Sequence, residues 1–393
     1  MTRHPPELPV RADSREGAQL GAFWQQYLWR PAAGVAQAPA ASRDHSRYNR
    51  TGMRGKGITY DTGFLSAGTS TREPFDPAVV GREIRIIRDD LHCNAVRVTG
   101  GHPERLEIAA KHAADGGLEV WFSPFTNGLT CEELLALLAD CAERAERLRR
   151  RGAEVVLLAG SELSLFTIGF LPGDSLADRL ALLASPHRLR PLIAGMRARF
   201  NEFLGKAVEV VRTRFGGKLS YASLPLEGVD WGPFDIISTD ACYRTAENAP
   251  RFRDDIRAFV AQGRALGKPV AITEFGCTTY RGAANLGLFD SIIEWGDGSR
   301  PVRLKGEYTR DEDEQARDIS ELLDVFETEG VDSVFVNTFA RYDLPHRSAP
   351  HEDFDMASFG LVKVLEGRRG QRYPDMPWEP KAAFTTLAHR YGG

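Results

Sequence analysis

The sequence lacks any apolar run near the ~18 residues a membrane-spanning helix requires, so no helical membrane span is expected. It also lacks a surplus of positive charge. Fifty Lys and Arg against 54 Asp and Glu give a formal net charge of −4, which offers no broad basic field to nucleic acid or to an anionic membrane. Cysteine is scarce: Cys93, Cys131, Cys141, Cys242 and Cys277 are odd in number and form no C-x-x-C pair. That argues against a disulfide framework and for reduced, buried thiols. The segment Met1-Thr2-Arg3-His4-Pro5-Pro6-Glu7-Leu8-Pro9 has none of the apolar character of a secretory signal, so the expected location is cytoplasmic. No repeat at a solenoid period is present. His346, His351, Glu352, Asp353 and Asp355 crowd one segment, but their spacing matches no compact metal motif, and hydrophilic loop composition explains them. No metal and no cofactor are expected.

What is present is a core-forming chain of 393 residues, 42% hydrophobic, with strand and helix patterns in alternation. Residues 1–53, rich in Pro, Ala, Arg and Ser, read as an extension with one docked aromatic segment from Phe23 to Trp29. Strands are expected over 56–60, 95–99, 118–123, 155–161, 219–223, 234–238, 270–273 and 333–337. Helices are expected over 77–90, 103–114, 131–151, 191–215, 249–266, 311–329 and 380–391. Asp76 before Pro77, and Thr130, are the expected caps of two of them. The return from the fifth strand to the sixth is too short for a full helix. Gly100-Gly101-His102-Pro103 lacks the G-x-G-x-x-G spacing that an open dinucleotide-binding sheet would carry. The fold class expected is therefore α/β: a single (βα)8 barrel over residues 54–393, with long loops after strands 4 and 8.

Two glutamates carry the functional signal. Glu162 follows Val155-Val156-Leu157-Leu158-Ala159-Gly160-Ser161, and Glu274 follows Val270-Ala271-Ile272-Thr273. Apolar runs of this kind are buried on both faces in a parallel sheet, so each carboxylate falls at a strand's carboxyl-terminal rim. Two carboxyls facing one another there can supply the acid and the nucleophile of glycoside hydrolysis. Arg97, Asp240, Tyr243 and Asp61 fall at the same rim. Arg97 also has a plain structural explanation as an ion-pair partner, and Asp240 as the cap of the next loop. Trp121 lies inside a strand and is a core residue. Trp231, Trp295 and Trp378 fall in loops, where stacking on a sugar and ordinary loop packing explain them equally. Cys242 and Cys277 sit near the rim without a clear His partner. The Arg-rich run from Arg144 to Arg151 alternates with acids and reads as a solvated helix face.

With these residues in place, the chain resembles the large (βα)8 clan of retaining glycoside hydrolases, clan A, over most of 54–391. The resemblance makes Glu162, ending the fourth strand, the acid/base, and Glu274, in Thr273-Glu274-Phe275-Gly276, the nucleophile. It makes Arg97, in Asn94-Ala95-Val96-Arg97-Val98, and Tyr243 partners of that nucleophile. Asp355-Met356-Ala357-Ser358-Phe359-Gly360 is similar to the clan's closing region. Three positions depart from the pattern. Ser161 stands where the clan usually has an Asn that contacts the sugar 2-hydroxyl. Phe339, in Asn337-Thr338-Phe339, stands near the place of a Trp platform. The third strand ends Ser123-Pro124-Phe125 without the frequent His. The whole chain also resembles actinobacterial proteins labelled "abortive infection protein", a label that names a phage-defence phenotype and implies no chemistry.

The expected function is a retaining glycosidase-like enzyme acting on a small glycoside, with Glu162 and Glu274 catalytic. Asp61, Arg97, Ser161, Asp240, Tyr243, Trp295 and Phe339 are its expected substrate contacts. Two alternatives stay open: proton transfer by the same pair on a non-sugar metabolite, or a non-catalytic ligand-binding barrel in phage defence.

Overall fold

The computed structural model describes residues 52–286, 292–296 and 300–393, and the expected extension with its Phe23 to Trp29 segment lies outside them. Eight parallel strands close into a barrel: β1 (Gly55–Asp61), β2 (Ala95–Gly100), β3 (Glu119–Pro124), β4 (Val155–Ser161), β5 (Lys218–Ser223), β6 (Ile237–Thr239), β7 (Val270–Phe275) and β8 (Ser333–Val336). Closure is direct, with Gly55 opposite Ser333 and Ile58 opposite Val336. The helices α1 (Pro77–Asp89), α2 (Pro103–Asp115), α3 (Cys131–Arg150), α4 (Ile193–Arg212), α5 (Phe252–Leu266), α6 (Glu312–Glu329) and α7 (Ala382–Gly392) alternate with them. Between β5 and β6 there is only the 3₁₀ turn Pro225–Glu227.

The strands follow the period-two rule of a sheet buried on both faces. Ala95, Trp121, Val156, Leu158, Ala222, Ala271 and Phe335 form one cluster inside the barrel. Their alternates Val96, Val120, Leu157, Ile272 and Val334 join the larger cluster under the helices. Local chemistry starts the helices. The Asp76 side chain accepts from Ala78 N, with Pro77 at the first turn of α1. Thr130 and Glu133 form a reciprocal capping box on α3.

The sixth strand is shorter than expected and begins only at Ile237. Ahead of it the Lys268 ammonium takes the carbonyls of Trp231, Gly232 and Phe234, and Asp235 bonds Leu219 of β5 through its N–H and, in place of a backbone carbonyl, its side chain. Trp231 and Trp378 are buried packing residues, 6% and 0% exposed, and Trp121 is fully buried as expected. Asp353 and Asp355, in the segment after β8, are held by ion pairs: Arg310 reaches them at 2.7 and 2.9 Å, and Lys381 reaches Asp355 at 2.9 Å.

One buried carboxylate ties the rim together. Glu83 of α1 accepts from Tyr60 (2.5 Å), Arg72 (2.6 Å), Tyr342 (2.5 Å) and the Trp378 indole (2.8 Å). Both ions of the Arg72–Glu83 pair are nearly water-free. Glu83→Ala would strand a buried guanidinium and is expected to destabilise the protein by about 3–5 kcal/mol. Urea unfolding measures this, and a loss under about 1 kcal/mol would show the hub to be dispensable.

Candidate active site

Both glutamates owe their direction to an irregularity in the strand that carries them. On β8, Val334 faces Ile272 and Val336 faces Phe275, so one extra residue sits in β7. On β5, Ser220 faces Leu158 and Ala222 faces Ser161, so one extra residue sits in β4. A bulge of this type re-aims the side chains beside it. In β7 it breaks the alternation between Ile272 and Phe275, both of which pack under the helices, and the side chain of Glu274 meets Arg97, Tyr243 and Asn337. In β4 it ends at Glu162, which has φ +47° and ψ +37°. Gly160 is required in that bulge. Its φ is +115°, and a Cβ there would lie 2.7 Å from the Leu163 side chain.

The two carboxyls have opposite surroundings. Glu274 is held by donors. Arg97 Nη1 donates to Oε1 at 3.0 Å, while the Tyr243 hydroxyl and Asn337 Nδ2 donate to Oε2 at 3.0 and 3.1 Å. Among the described residues no hydrogen bond reaches the Glu162 carboxyl. Burial first, and then the charges of Asp240, Glu274 and Glu227, push Glu162 well above the ordinary glutamate value, with Arg97 pulling the other way. Burial and Asp240 also raise Glu274, but Arg97 and Tyr243 restrain it, and it comes to about 7. Each carboxylate disfavours ionisation of the other, and Glu162 is the one that keeps its proton to higher pH. Burial, then the charge of Glu274, pushes the Tyr243 phenol far up, so it is a neutral donor.

Asp240 and Ser161 occupy a different layer from the one expected. Asp240 is fully buried and takes both arms of Arg97, at 2.7 and 3.2 Å. The Ser161 hydroxyl is also fully buried and donates to Asp240. The hydrogen bonds of both side chains run to Arg97 or to each other, so they orient Arg97. Phe339 is likewise a core residue, at 0% exposure, with its ring 6.1 Å from Tyr60 and 5.3 Å from Trp378. Its backbone N–H bonds Thr59, which turns the ring into the wall between β1 and the segment after β8. Trp295 lies on the outlying hairpin Ile293–Trp295 and Pro301–Leu304 and is 42% exposed. Asp61 is at the rim, accepting from Gly63 N at 2.8 Å and Thr71 at 2.5 Å. Burial raises its pKa, against the Thr71 hydrogen bond and the Arg341 charge.

Three residues at the site carry no clear signal in the sequence. Asn337 bridges Glu274 and Tyr243, at 3.1 and 3.0 Å. Arg341, clamped by Asp343 at 2.6 and 2.8 Å, is held protonated against burial by Asp343, Asp61 and Glu274. Glu227 accepts from the backbone N–H of Ser164, two residues past Glu162, at 3.0 Å. Asn337 ends the predicted eighth strand, and that position is the one signal that could have found it. Cys242 and Cys277 are buried thiols whose pKa burial pushes well up, which makes them poor nucleophiles. A separate hollow of about 320 Å³ opens at the other end of the strands, among Glu119, Arg149, Glu154 and Lys218. That end of such a barrel ordinarily serves stability, so the rim is the better candidate.

The sequence matches no family model and no curated protein. Solved structures do match it. The GH113 β-mannanase AaManA from Alicyclobacillus acidocaldarius, in complex with ManMIm, aligns with a TM-score of 0.53 at 17% identity over 88% of this chain and 99% of that one. A complex of a GH113 β-1,4-mannanase aligns at 0.52 and 16% identity, over 87% and 99%. The chain has the barrel fold of these glycoside hydrolases. At such identities the likeness is one of fold. Among the described residues no helix is long and apolar enough to cross a membrane.

Proposed function

We propose that this protein is a retaining glycosidase-like hydrolase acting on a small glycoside, with Glu274 as nucleophile and Glu162 as acid/base. The observation that supports it best is the asymmetry of the pair. Three donors converge on Glu274, and among the described residues no hydrogen bond reaches Glu162. Double displacement needs that asymmetry, because one carboxyl must be ionised while the other still holds its proton.

In the first step a Glu274 oxygen bonds to the anomeric carbon as the bond to the leaving oxygen breaks. Glu162 gives its proton to that oxygen. In the second step Glu162 takes a proton from water, and the resulting hydroxide displaces Glu274 from the sugar. Arg97, Tyr243 and Asn337 keep the departing carboxylate charged and in place. Arg341, close enough to Glu274 to act on it by charge, with Asp343 paired to it and Asp61 nearby, is the group assigned to sugar hydroxyls.

The test is a panel of 4-nitrophenyl glycosides followed across pH. Activity rises as Glu274 ionises and falls as Glu162 does. The acid limb of kcat/KM is therefore expected near pH 7, with the optimum above it. These are macroscopic values of the coupled pair. An optimum below about pH 5 would contradict the assignment, because Glu274 would then be protonated.

A second reading, proton transfer on a non-sugar metabolite, draws on Ser161. It stands where the resemblance would place an Asn that contacts a sugar 2-hydroxyl, and its hydroxyl is instead committed to Asp240. Under that reading every glycoside is inert, while substitution of either glutamate still ends the true reaction.

A further inference from the structure

A third glutamate, Glu227, lies fully buried on the 3₁₀ turn Pro225–Glu227 between β5 and β6. It makes no ion pair among the described residues. Instead it collects donors: Ser164 N at 3.0 Å and the Tyr221 hydroxyl at 2.9 Å on Oε1, and Leu224 N at 2.8 Å on Oε2. The Tyr221 hydroxyl in turn accepts from Leu163 N at 2.8 Å. Leu163 and Ser164 are the two residues directly after Glu162. Glu227 thus satisfies, itself and through Tyr221, the first two amides of the turn that Glu162 opens. Such amides have no partner within their own turn.

This arrangement has a purpose that packing alone does not require. Glu162 is in the left-handed region, an unfavourable conformation for a residue with a side chain, and it persists only where its surroundings hold it. The bulge in β4 brings the chain to that position, and the amides immediately after it are fixed by Glu227 and Tyr221. Every partner of Glu227 is a donor, which suits a carboxylate and not an amide. We propose that Glu227 is a positioning residue that locks the left-handed turn carrying Glu162 and keeps a second negative charge behind that carboxyl. It reaches the chemistry only through Glu162, and its catalytic meaning rests on the reading of Glu162 as acid/base. Burial raises Glu227 itself to about 7, with Ser164, Leu224 and Tyr221 pulling it back, so its charge is present across the alkaline range.

The test needs no turnover and so stands apart from the glycosidase reading. Glutamate side-chain carboxyls are labelled with carbon-13 and titrated by NMR, with Glu162→Gln assigning the resonance, and amide exchange is followed at Leu163 and Ser164. Glu227→Gln removes the charge and sets an amide NH₂ against a backbone N–H. The Glu162 midpoint is expected to fall by about one pH unit, and exchange at Ser164 to quicken at least about tenfold. Tyr221→Phe keeps the charge and loses the bridge, so exchange at Leu163 quickens while the Glu162 midpoint stays. If Glu227→Gln does not fold, Glu227→Asp, which keeps the charge on a shorter arm, must hold the midpoint and lose protection at Ser164. A folded Glu227→Gln with an unmoved midpoint and unchanged exchange overturns the proposal, as does a Glu227→Asp that shifts the midpoint as far as loss of the charge would. On any substrate that is turned over, Glu227→Gln moves the alkaline limb of the pH profile to lower pH, which loss of fold stability alone would not do.

Discussion

Glu274→Gln is expected to lower turnover on the order of 10⁴-fold or more while leaving the barrel folded. The side chain keeps its size, so the cavity among Arg97, Tyr243 and Asn337 stays filled. What changes is charge. An amide cannot attack the anomeric carbon effectively, and its NH₂ group must face one of the three donors that now converge on the carboxylate. That mismatch costs about 1–3 kcal/mol. Relief from the buried negative charge of Asp240 offsets part of it. Initial rates on a cleaved glycoside, beside a thermal melt, measure both halves of the prediction. Full activity in a folded Glu274→Gln would remove the nucleophile from the mechanism.

Arg97→Ala is expected to have a large, pH-dependent effect on stability. The guanidinium is fully buried and makes five contacts: two to Asp240, one each to Glu274, the Thr273 carbonyl and Ser123. Without it Asp240 stays buried with only the Ser161 hydroxyl among these partners, and Glu274 loses its cation. Removing one member of a buried ion pair costs about 3–5 kcal/mol. The loss also depends on pH. The folded Glu274 value, about 7, is raised above its ordinary 4.5. The folded state therefore holds that proton more tightly, and the resulting stability is complete below about 4.5 and lost as pH rises through about 7. Arg97→Ala raises the folded value further, so the variant's deficit is smallest near pH 4.5 and grows toward pH 8. Urea unfolding at the two pH values reads it directly. Equal deficits would show that the lost contacts are steric and not ionic.

Much of this was visible in the sequence because it follows from strand chemistry. Val155 to Ser161 is a buried strand by composition, and a glutamate right after it falls at a rim by geometry. Asp76, Pro77 and Thr130 marked helix starts through local hydrogen bonds, which need no tertiary knowledge. The inner wiring was less legible. Ser161 and Asp240 lie 79 residues apart, and their mutual hydrogen bond depends on the barrel's closure. The bulges in β4 and β7 shift side-chain direction by one residue, and no alternation rule reveals an extra residue in a parallel pair. Phe339 read as a sugar contact because it falls just past a predicted strand, and Trp378 fell in a loop, yet the two meet edge to face at 5.3 Å in the core. Glu227 gave no signal because two of its three partners are backbone amides, which have no sequence signature.

The central claim is that Glu162 and Glu274 act as a retaining pair. Proton NMR of the first glycoside cleaved from the panel tests it most directly, by the configuration of the sugar released before mutarotation. The account predicts the same anomer as the substrate, formed through a glycosyl ester on Glu274. Release of the opposite anomer would contradict it, because a single displacement leaves no role for Glu274 as nucleophile.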